Sequence, residues 1–272
     1  MSFISVIITT YNRPDALTAV VEALFTQDDT GFEIIIADDG SGDNTRTAVA
    51  ALQARAPVSM RHVWQEDQGF RAARVRNLGT LDARGDYIVF LDGDCIPQRN
   101  FISQHRRLAQ PGYLVQGSRI LLSEEATKRV LAEHTDVQRL TLGEKLAWRR
   151  RRALNKVLPL LLTLPDLGRT SDRFTWRRIK SCNLAVWRSD LDLVNGFDES
   201  FSGWGHEDAD LVLRLFNAGV MRKDGAYATE VLHLWHREHA RDQESSNRAL
   251  VEQRVTTRLI QAVQGLNPGL RS

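Results

Sequence analysis

The chain has 272 residues, of which 42% are hydrophobic and 26% charged, a composition typical of a soluble globular protein with room for one large α/β domain or two small ones. The formal net charge of +2 argues against nucleic acid as a partner, and two cysteines give neither a disulfide framework nor a zinc-ligand spacing. No stretch approaches the ~18 apolar residues of a membrane span, and no signal-peptide pattern is present. These features together predict a cytoplasmic protein.

Strand-like and helix-like stretches alternate through the first part of the chain. Runs of β-branched and aromatic residues predict strands over 3–10, 32–37, 58–64 and 87–91. Helices are predicted between them, with Asp15 capping the first and Ser41 or Asp43 capping the second, over 45–55. An arginine-rich segment that starts at Gly69 predicts a third helix. The alternation indicates a mostly parallel sheet with helices on both faces.

The pattern is less regular after residue 97, and residues 124–170 give the weakest indications. One amphipathic helix is predicted over 244–263, where four apolar residues recur at i, i+4 spacing. The other predicted elements are a helix over 100–109, strands over 113–122, 179–186 and 231–235, a turn over 196–199, and a helix following 204–210.

The stretch from Tyr87 to Cys95 gives the clearest indication of chemistry. Its apolar run stops on Asp92-Gly93-Asp94, and such a run predicts a strand buried on both faces. Ligands of open α/β sheets bind where strands end, and a glycine there lets the backbone approach a ligand closely. Two carboxylates at this spacing suit Mg²⁺ or Mn²⁺ carrying a phosphorylated substrate. Taken alone, a polar turn after a core strand explains the pattern equally well.

Three arginines, Arg71, Arg74 and Arg76, lie within six positions shortly before that strand. A solvated helix face is the usual explanation of such a run. Their position next to a candidate metal strand also fits contact with the phosphates of a ligand, and Arg74 is expected on the opposite face.

Five segments, taken together, resemble a known family. Residues 5–13, 37–41, 76–79 and 91–94 occur in the order and rough spacing of family 2 glycosyltransferases with the GT-A fold. Trp204-Gly205-His206-Glu207-Asp208 resembles the Trp-Gly-Gly-Glu-Asp segment of β-1,4-galactosyltransferases. Residues 68–77 and 90–97 are similar to bacterial chondroitin-polymerase-type domains. The resemblance covers roughly residues 3 to 240.

The resemblance implies a site for a nucleoside-diphosphate sugar, with UDP-sugars favoured. Tyr11 would stack on the base and Asp39 would accept a base N–H bond. Turn chemistry after two strands is the alternative explanation for Tyr11 and for Asp38-Asp39. The donor-binding residues implied are Thr10, Tyr11, Arg13, Asp39, Arg71, Arg76, Asn77, Asp92 and Gly93.

The resemblance also implies a site for Mn²⁺ or Mg²⁺. Asp94 matches the metal-binding aspartate of the family. His233 and His236 match a Met and a His that bind manganese in β-1,4-galactosyltransferases, so His236 is the preferred ligand and His233 the second candidate. A structural role is the commoner explanation for a single histidine on a strand. His239 is expected outside the site.

Glu207 and Asp208 are the implied catalytic pair. Inverting transfer needs one base that takes a proton from the acceptor hydroxyl. By resemblance Asp208 is that base and Glu207 positions the acceptor, while Trp204, Gly205 and His206 form a loop over the acceptor sugar. His206 departs from the usual glycine and is expected to narrow the pocket. The alternative is a pair of first-turn acids that stabilise a helix.

Four arginines at 149–152 precede a leucine-rich segment at 157–162. The first explanation is a solvated helix end beside a packing segment. The second is contact with an anionic surface, either a membrane leaflet or a phosphorylated acceptor, which would place the protein peripherally at the inner face of the membrane.

The predicted protein is thus a GT-A-like α/β enzyme with a C-terminal helical extension. Its predicted reaction is metal-dependent, inverting transfer of a hexose to a glycan or lipid-linked glycan of the bacterial cell surface. Residues 1–115 would bind the nucleotide sugar, 116–240 the acceptor, and 241–272 would form the amphipathic helix. Two alternatives remain. A sugar-phosphate nucleotidylyltransferase should show a glycine-rich loop, which 10–14 is not, and a non-catalytic glycan-binding relic should lack Asp94 or Asp208.

Overall fold

A computed structural model describes residues 2–171, 179–201, 203–237 and 244–267. The strands are β1 (Ile4–Thr10), β2 (Phe32–Asp38), β3 (Met60–Trp64), β4 (Tyr87–Asp92), β5 (Cys95–Pro97), β6 (Tyr113–Gln116), β7 (Ser118–Leu121), β8 (Thr170–Ser171), β9 (Asn183–Trp187), β10 (Met221–Asp224) and β11 (Glu230–His233). The helices are α1 (Pro14–Phe25), α2 (Asp43–Gln53), α3 (Ala72–Asp82), α4 (Phe101–Leu108), α5 (Glu124–Ala132), α6 (Leu142–Arg150), α7 (Arg188–Leu193), α8 (Glu207–Asn217) and α9 (Glu244–Thr257).

The main sheet has eight strands in the order β3-β2-β1-β4-β9-β6-β10-β8. The pairs β3-β2, β2-β1 and β1-β4 are parallel, and β9 runs antiparallel between β4 and β6. In this register Thr10 lies opposite Asp38 and Thr9 opposite Asp92, so the polar turns that follow these strands meet at one edge. The predicted central sheet flanked by helices is confirmed.

The central strands are buried on both faces. In β1, Val6 and Ile8 pack with α1 in one hydrophobic cluster, whereas Ile7 packs in a second cluster on the opposite face. Residues Tyr87 to Leu91 of β4 have no exposed surface. The continuous apolar run therefore reports two-sided burial, as predicted, because alternate side chains of a strand point to opposite faces.

A second sheet of three strands, in the order β5-β11-β7, branches from the first. The chain leaves the main sheet at Gly93-Asp94 between β4 and β5, and again at Gly117 between β6 and β7. A Cβ on Gly117 would lie 2.1 Å from the carboxamide of Asn183, so only glycine fits there. The prediction of one strand over 113–122 is therefore wrong, since the two pieces belong to different sheets.

Several predicted boundaries also shift. Asp15 lies in the first turn of α1, whose N-cap is Arg13 and whose first helical residue is Pro14. Gly42, rather than Ser41 or Asp43, is the N-cap of α2. The last helix ends at Thr257 instead of 263, because Arg258 adopts a left-handed φ of 52°.

The last helix is held by buried charges. Arg254 of α9 contacts Asp210 of α8 at 2.6 Å and Asp198 at 2.8 Å, and Arg214 contacts Asp210 at 2.8 Å. Asp198, Asp210 and Arg214 are fully buried. Since breaking such a network leaves an uncompensated charge in the interior, α9 is firmly attached to α8.

Candidate active site

The turn after β2 is fixed by its two aspartates. Asp38 accepts hydrogen bonds from the Ser41 backbone N–H at 2.8 Å and from His62 at 3.1 Å. Asp39 accepts from the Arg71 backbone N–H at 2.8 Å and also contacts Gln65. Burial raises the pKa of the Asp39 carboxyl, and these hydrogen bonds oppose that rise. The turn is therefore ordered, and Asp39 is tied to the start of α3.

The turn after β1 lies beside it. The Tyr11 ring is 43% exposed, and its hydroxyl donates to Asp67 Oδ2 at 2.9 Å, which raises the pKa of Tyr11. Arg13 pairs with Asp15 at 3.3 Å. The Thr10 hydroxyl is buried and has no hydrogen-bond partner among the residues that the structure describes. An exposed ring beside an unsatisfied hydroxyl is compatible with the predicted nucleoside contact.

Arg76 connects the end of β4 to the start of α8. Its guanidinium, which is almost fully buried, donates to Asp92 Oδ1 at 3.1 Å and to Glu207 Oε1 at 2.9 Å. Burial tends to lower its pKa, but the charges of Asp92 and Glu207 outweigh that effect and leave the pKa raised. Arg76 therefore carries a permanent positive charge between two carboxylates.

The other polar residues of the segment 71–77 contact different groups from those that Arg76 contacts. The Asn77 carboxamide is buried and bonds to Phe197, through both backbone groups, and to Glu199. The predicted donor contact of Asn77 is thus replaced by a structural one, because its amide holds the 196–199 turn. The Arg71 guanidinium donates to the Glu66 carbonyl at 2.5 Å, while Arg74 is exposed, as expected.

Gly93 sets the direction of the turn that follows β4. Its N–H donates to the Thr9 carbonyl at 2.8 Å, and an added Cβ would lie 3.0 Å from that same oxygen. A side chain here would push the turn away from β1. The glycine therefore keeps Asp92 and Asp94 close to the end of β1.

Asp94, His233 and His236 form what we call the metal corner. Asp94 Oδ1 lies 3.7 Å from His233 Nε2, and Asp94 Oδ2 lies 3.4 Å from His236 Nε2. The position of this cluster follows from the second sheet, in which Cys95 of β5 pairs with His233 of β11. The structure thus brings both histidines to Asp94, which precedes them by more than 130 residues in the sequence. His239 lies outside the described residues.

The metal corner fits a divalent cation. Asp94, Cys95 and His233 each offer a ligand atom within 4.8 Å of the other two, whereas His236, whose Nε2 lies 3.4 Å from Asp94 Oδ2, stands outside that group and would have to move closer to share one cation with His233. One carboxylate and two imidazoles form a mixed oxygen and nitrogen donor set, which suits Mn²⁺ better than Ca²⁺. Cys95 Sγ, 3.6 Å from Asp94 Oδ1, lies at the same corner and was not predicted.

Glu207 and Asp208, with Arg76, form what we call the acid corner. Asp208 Oδ2 accepts from the Ser181 backbone N–H at 3.1 Å, and Oδ1 accepts from the Ala209 N–H at 2.7 Å. Burial and the neighbouring Glu207 charge raise the pKa of Asp208 to about 7, against the opposing effect of Arg76. Ser181 was not predicted as part of the site, since a backbone N–H has no sequence signal.

The loop before α8 is built from left-handed residues. Gly203, Gly205 and His206 have φ angles of 70°, 104° and 74°. His206 therefore occupies a backbone conformation that costs a non-glycine residue about 1–2 kcal/mol, which explains why glycine is usual there. Gly203 N–H donates to the Phe70 carbonyl at 3.3 Å, and the Asn247 side chain of α9 donates to the Gly205 carbonyl at 2.9 Å.

Comparison with known proteins identifies this arrangement. The family model for glycosyl transferase family 2 matches residues 5–167, and that for the N-terminal domain of galactosyltransferase matches residues 169–237. The first match covers more than half of the chain. The chain belongs to glycosyl transferase family 2. The second match begins just before β8 and includes Glu207, Asp208, His233 and His236, so the resemblance inferred from the motifs is confirmed.

Relatives of this glycosyltransferase include a glucosyltransferase and a chondroitin synthase. It is 30% identical over 240 residues to validoxylamine A glucosyltransferase of Streptomyces hygroscopicus subsp. jinggangensis, a match covering 80% of this chain and 52% of the relative. It is 28% identical over 238 residues to chondroitin synthase of Pasteurella multocida, a match covering 83% of this chain and 24% of the relative. The chain therefore spans about half or less of the length of these relatives.

Solved structures share the fold. The mannosyltransferase PcManGT of Pyrobaculum calidifontis, in complex with GDP-Man and Mn²⁺, aligns with a TM-score of 0.60 at 16% identity, covering 95% of this chain and 64% of that one. Residues 1–349 of S. aureus TarS in complex with UDP-GlcNAc align with a TM-score of 0.60 at 14% identity. This alignment covers 91% of this chain and 65% of the TarS chain. The glycosyltransferase has the GT-A fold, as predicted.

Proposed function

We propose that this glycosyltransferase transfers a hexose, with inversion, from a nucleoside-diphosphate sugar to the hydroxyl of a glycan acceptor. A UDP-sugar is the favoured donor. The observation that supports this proposal most is the chain of contacts from Asp92, beside the metal corner, through Arg76 to Glu207 of the acid corner. This chain of contacts supports the proposal because it links the strand end that would carry the donor to the residue that precedes the proposed base, Asp208.

On the donor side, Asp94, His236 and His233 would hold Mn²⁺ or Mg²⁺. The bound cation would neutralise charge that develops on the leaving nucleoside diphosphate. Tyr11 would cover the base, and Thr10 and Asp39 would contact the nucleoside from the adjoining turns. Arg71 and Arg13 would supply positive charge at the phosphates, and Arg76 would orient Asp92.

On the acceptor side, Asp208 would be the general base. The acceptor hydroxyl oxygen would bond to the anomeric carbon while a carboxylate oxygen of Asp208 takes the hydroxyl proton. The sugar–phosphate bond would break on the opposite face of that carbon. A pKa of about 7 suits this role, because a base works best when its pKa lies near the working pH. Glu207, oriented by Arg76 at 2.9 Å, would accept a hydrogen bond from an acceptor hydroxyl. Trp204, Gly205 and His206 would cover the acceptor sugar.

The proposed acceptor is a glycan, free or lipid-linked, of bacterial cell-surface polysaccharide or lipopolysaccharide. The proposed location is the cytoplasm, peripherally at the inner face of the membrane. The work would be divided between residues 1–115 for the donor and 116–240 for the acceptor, with 241–272 supporting the second part. A catalytically inactive, glycan-binding relic is less well supported, because Asp94, Asp208 and both histidines are present together.

The test is calorimetric titration with UDP-, GDP- and dTDP-sugars in the presence of Mn²⁺, Mg²⁺ or EDTA. We expect one nucleotide class to bind, with the affinity lost in EDTA. Product analysis with the preferred donor should show inversion at the anomeric carbon. Binding that is equal with EDTA would refute the metal dependence, and a retained anomeric configuration would refute Asp208 as the base of a single displacement.

A further inference from the structure

An exposed surface outside both corners combines leucines with arginines. We call it the basic–leucine surface and define it as α6 together with residues 151–162. None of the α6 residues is buried, and Arg149 to Arg152 are all exposed. Its four most exposed leucines are Leu142, Leu146, Leu158 and Leu162, with exposed fractions of 58%, 48%, 49% and 49%.

The surface is nevertheless part of a folded element. The Thr141 side chain and Glu144 form a capping box that starts α6. Trp148 and Leu160 pack against the main hydrophobic cluster from the inner side. Lys145 Nζ approaches the Leu160 carbonyl at 3.4 Å, which joins α6 to the leucine segment. The outward leucines are therefore presented on an ordered support.

The charge of this surface is concentrated. Residues 142–162 contain six cations and one acid, so their net charge is +5, whereas the whole chain carries +2. The one acid, Glu144, is engaged in the capping box. The remainder of the chain is therefore net negative, and the positive charge needed to meet an anionic partner is gathered here.

We propose that the basic–leucine surface docks the glycosyltransferase on an anionic membrane leaflet. Exposed leucines beside arginines match the interfacial binding mode, in which apolar side chains enter the headgroup boundary while cations meet anionic lipid. A second copy of this chain is a poorer occupant, because a two-fold contact would place one arginine run against another. Among the described helices, none combines the length and apolar character that crossing a bilayer requires, which is consistent with surface docking.

The surface adjoins the metal corner. Asn155 exchanges hydrogen bonds with Leu121 of β7, and Leu121 pairs with His233 of β11. The docked face is thus connected through one strand to a predicted metal ligand. This placement would bring a lipid-linked acceptor close to the transfer site, a corollary that rests on the proposed function, whereas docking itself does not.

The first test replaces Arg149 to Arg152 by Ser and measures flotation with vesicles of phosphatidylglycerol and phosphatidylcholine, or of phosphatidylcholine alone. The wild type should bind only the anionic vesicles, and binding should weaken at high salt. The variant should lose about fivefold in affinity for each arginine removed. The matched control replaces four exposed arginines elsewhere, Arg46, Arg55, Arg84 and Arg99, and should retain binding.

The second test addresses the apolar half. Leu142→Gln with Leu146→Gln keeps helix propensity and should lower vesicle binding, while the control pair Leu81→Gln with Leu193→Gln, in α3 and α7 and equally exposed, should not. Equal loss in both pairs, binding to neutral vesicles, or unchanged binding of the arginine variant would overturn docking. Transfer to a small soluble acceptor should be unchanged in every variant; its absence in the wild type would refute the proposed function and leave docking standing.

Discussion

The metal corner and the acid corner differ in how their side chains are held. At the metal corner the closest carboxylate–imidazole approaches are 3.4 and 3.7 Å. At the acid corner Glu207 and Asp208 are engaged at 2.7 to 3.1 Å by Arg76 and two backbone N–H groups. Both corners lie at ends of secondary structure, so the contrast arises from their side-chain partners.

This difference indicates that the two corners differ in how far their side chains are positioned before any ligand binds. The metal corner has its ligands arranged around a small space, and a cation would draw them together. The acid corner is already satisfied by its own hydrogen bonds, and burial leaves Asp208 with a pKa of about 7. Under the proposed function, one corner would be completed by a cation, whereas the other is set by the protein alone. Substitutions that affect one corner and spare the other test this distinction.

The largest effect is expected from Asp208→Asn. Asparagine keeps the shape and still accepts a backbone N–H bond, but it cannot take a proton. Turnover should fall by about 10²–10⁴, while the affinity for donor and metal stays close to that of the wild type. In the wild type kcat/KM should rise with pH through about 7 and then level, since the base acts when deprotonated, and the variant should lose this limb.

Asp190→Asn is the control for Asp208, because burial also raises the pKa of Asp190. Asp190 lies on α7, outside both corners, so this variant should keep the wild-type pH limb. Near-wild-type turnover of Asp208→Asn would reduce Asp208 to a helix-end acid.

Asp94→Asn should affect the other corner. Removal of a negative charge from a hard-cation site should abolish detectable Mn²⁺ binding and weaken metal-dependent donor binding. Loss of several kcal/mol of charge stabilisation corresponds to a fall in turnover of about 10²–10³. Calorimetry with Mn²⁺, followed by donor titration, measures both effects. Full activity of this variant in EDTA would show that the metal corner has no part in the reaction.

A smaller effect is expected from Asn247→Ala. The substitution removes the 2.9 Å hydrogen bond from α9 to the Gly205 carbonyl and so loosens the loop before α8. A loss of about 1 kcal/mol should appear as a roughly fivefold rise in acceptor KM, with kcat and donor affinity nearly unchanged. Asn217→Ala removes a similar bond, 2.8 Å to the Leu259 carbonyl, and should leave acceptor KM unaltered. Equal changes in both variants would indicate only general destabilisation.

The last effect concerns stability rather than activity. The pKa of Asp208 is raised from about 3.9 in the unfolded chain to about 7 in the folded protein, so the folded state binds more protons between these values. The free energy of unfolding should therefore fall as pH rises from about 4 to about 7. The Asp208→Asn variant has no carboxyl to titrate at this position, so it lacks this pH-dependent loss of stability. Its melting temperature should exceed that of the wild type by a margin that grows as the pH rises from about 4 to about 7. A margin that stays constant from about pH 4 to about pH 7 would contradict this account of Asp208.

The first part of the fold, through β4, was predictable because its signals are local. Strand β4 is a continuous apolar run that ends on Asp92, and β1 and β2 are mostly apolar, with Ser5 and Glu33 as interruptions near their starts. Asp39 and Asp94 come within two residues of the ends of β2 and β4. Two-sided burial explains the runs, and the parallel register explains why the turns meet. The recurrence of several motifs in order then identified the family, which no one of them did alone.

What could not be predicted depends on contacts that are distant in sequence. Gly117 divides a stretch that looks like one strand, because Asn183 occupies the space a side chain would need. Asn77 resembled a donor ligand, but Phe197 and Glu199, 120 or more positions away, use its amide. Asn247 reaches Gly205 across 42 positions from a helix identified only by its apolar spacing. In each of these pairs, the sequence around one residue contains no pattern that predicts contact with the other.

The place of β9 in the main sheet has a consequence for how the protein is made. Strand β4 pairs with β1 on one edge, but its other edge is covered only by β9, which follows about 90 residues later. At translation rates of about 5–20 residues per second, that apolar edge stays open for roughly 5–20 s during synthesis. Open apolar edges recruit other strands. We therefore expect a fragment that stops near residue 116 to keep this edge open and to aggregate, which would make residues 1–115 unsuitable for expression alone or for domain exchange.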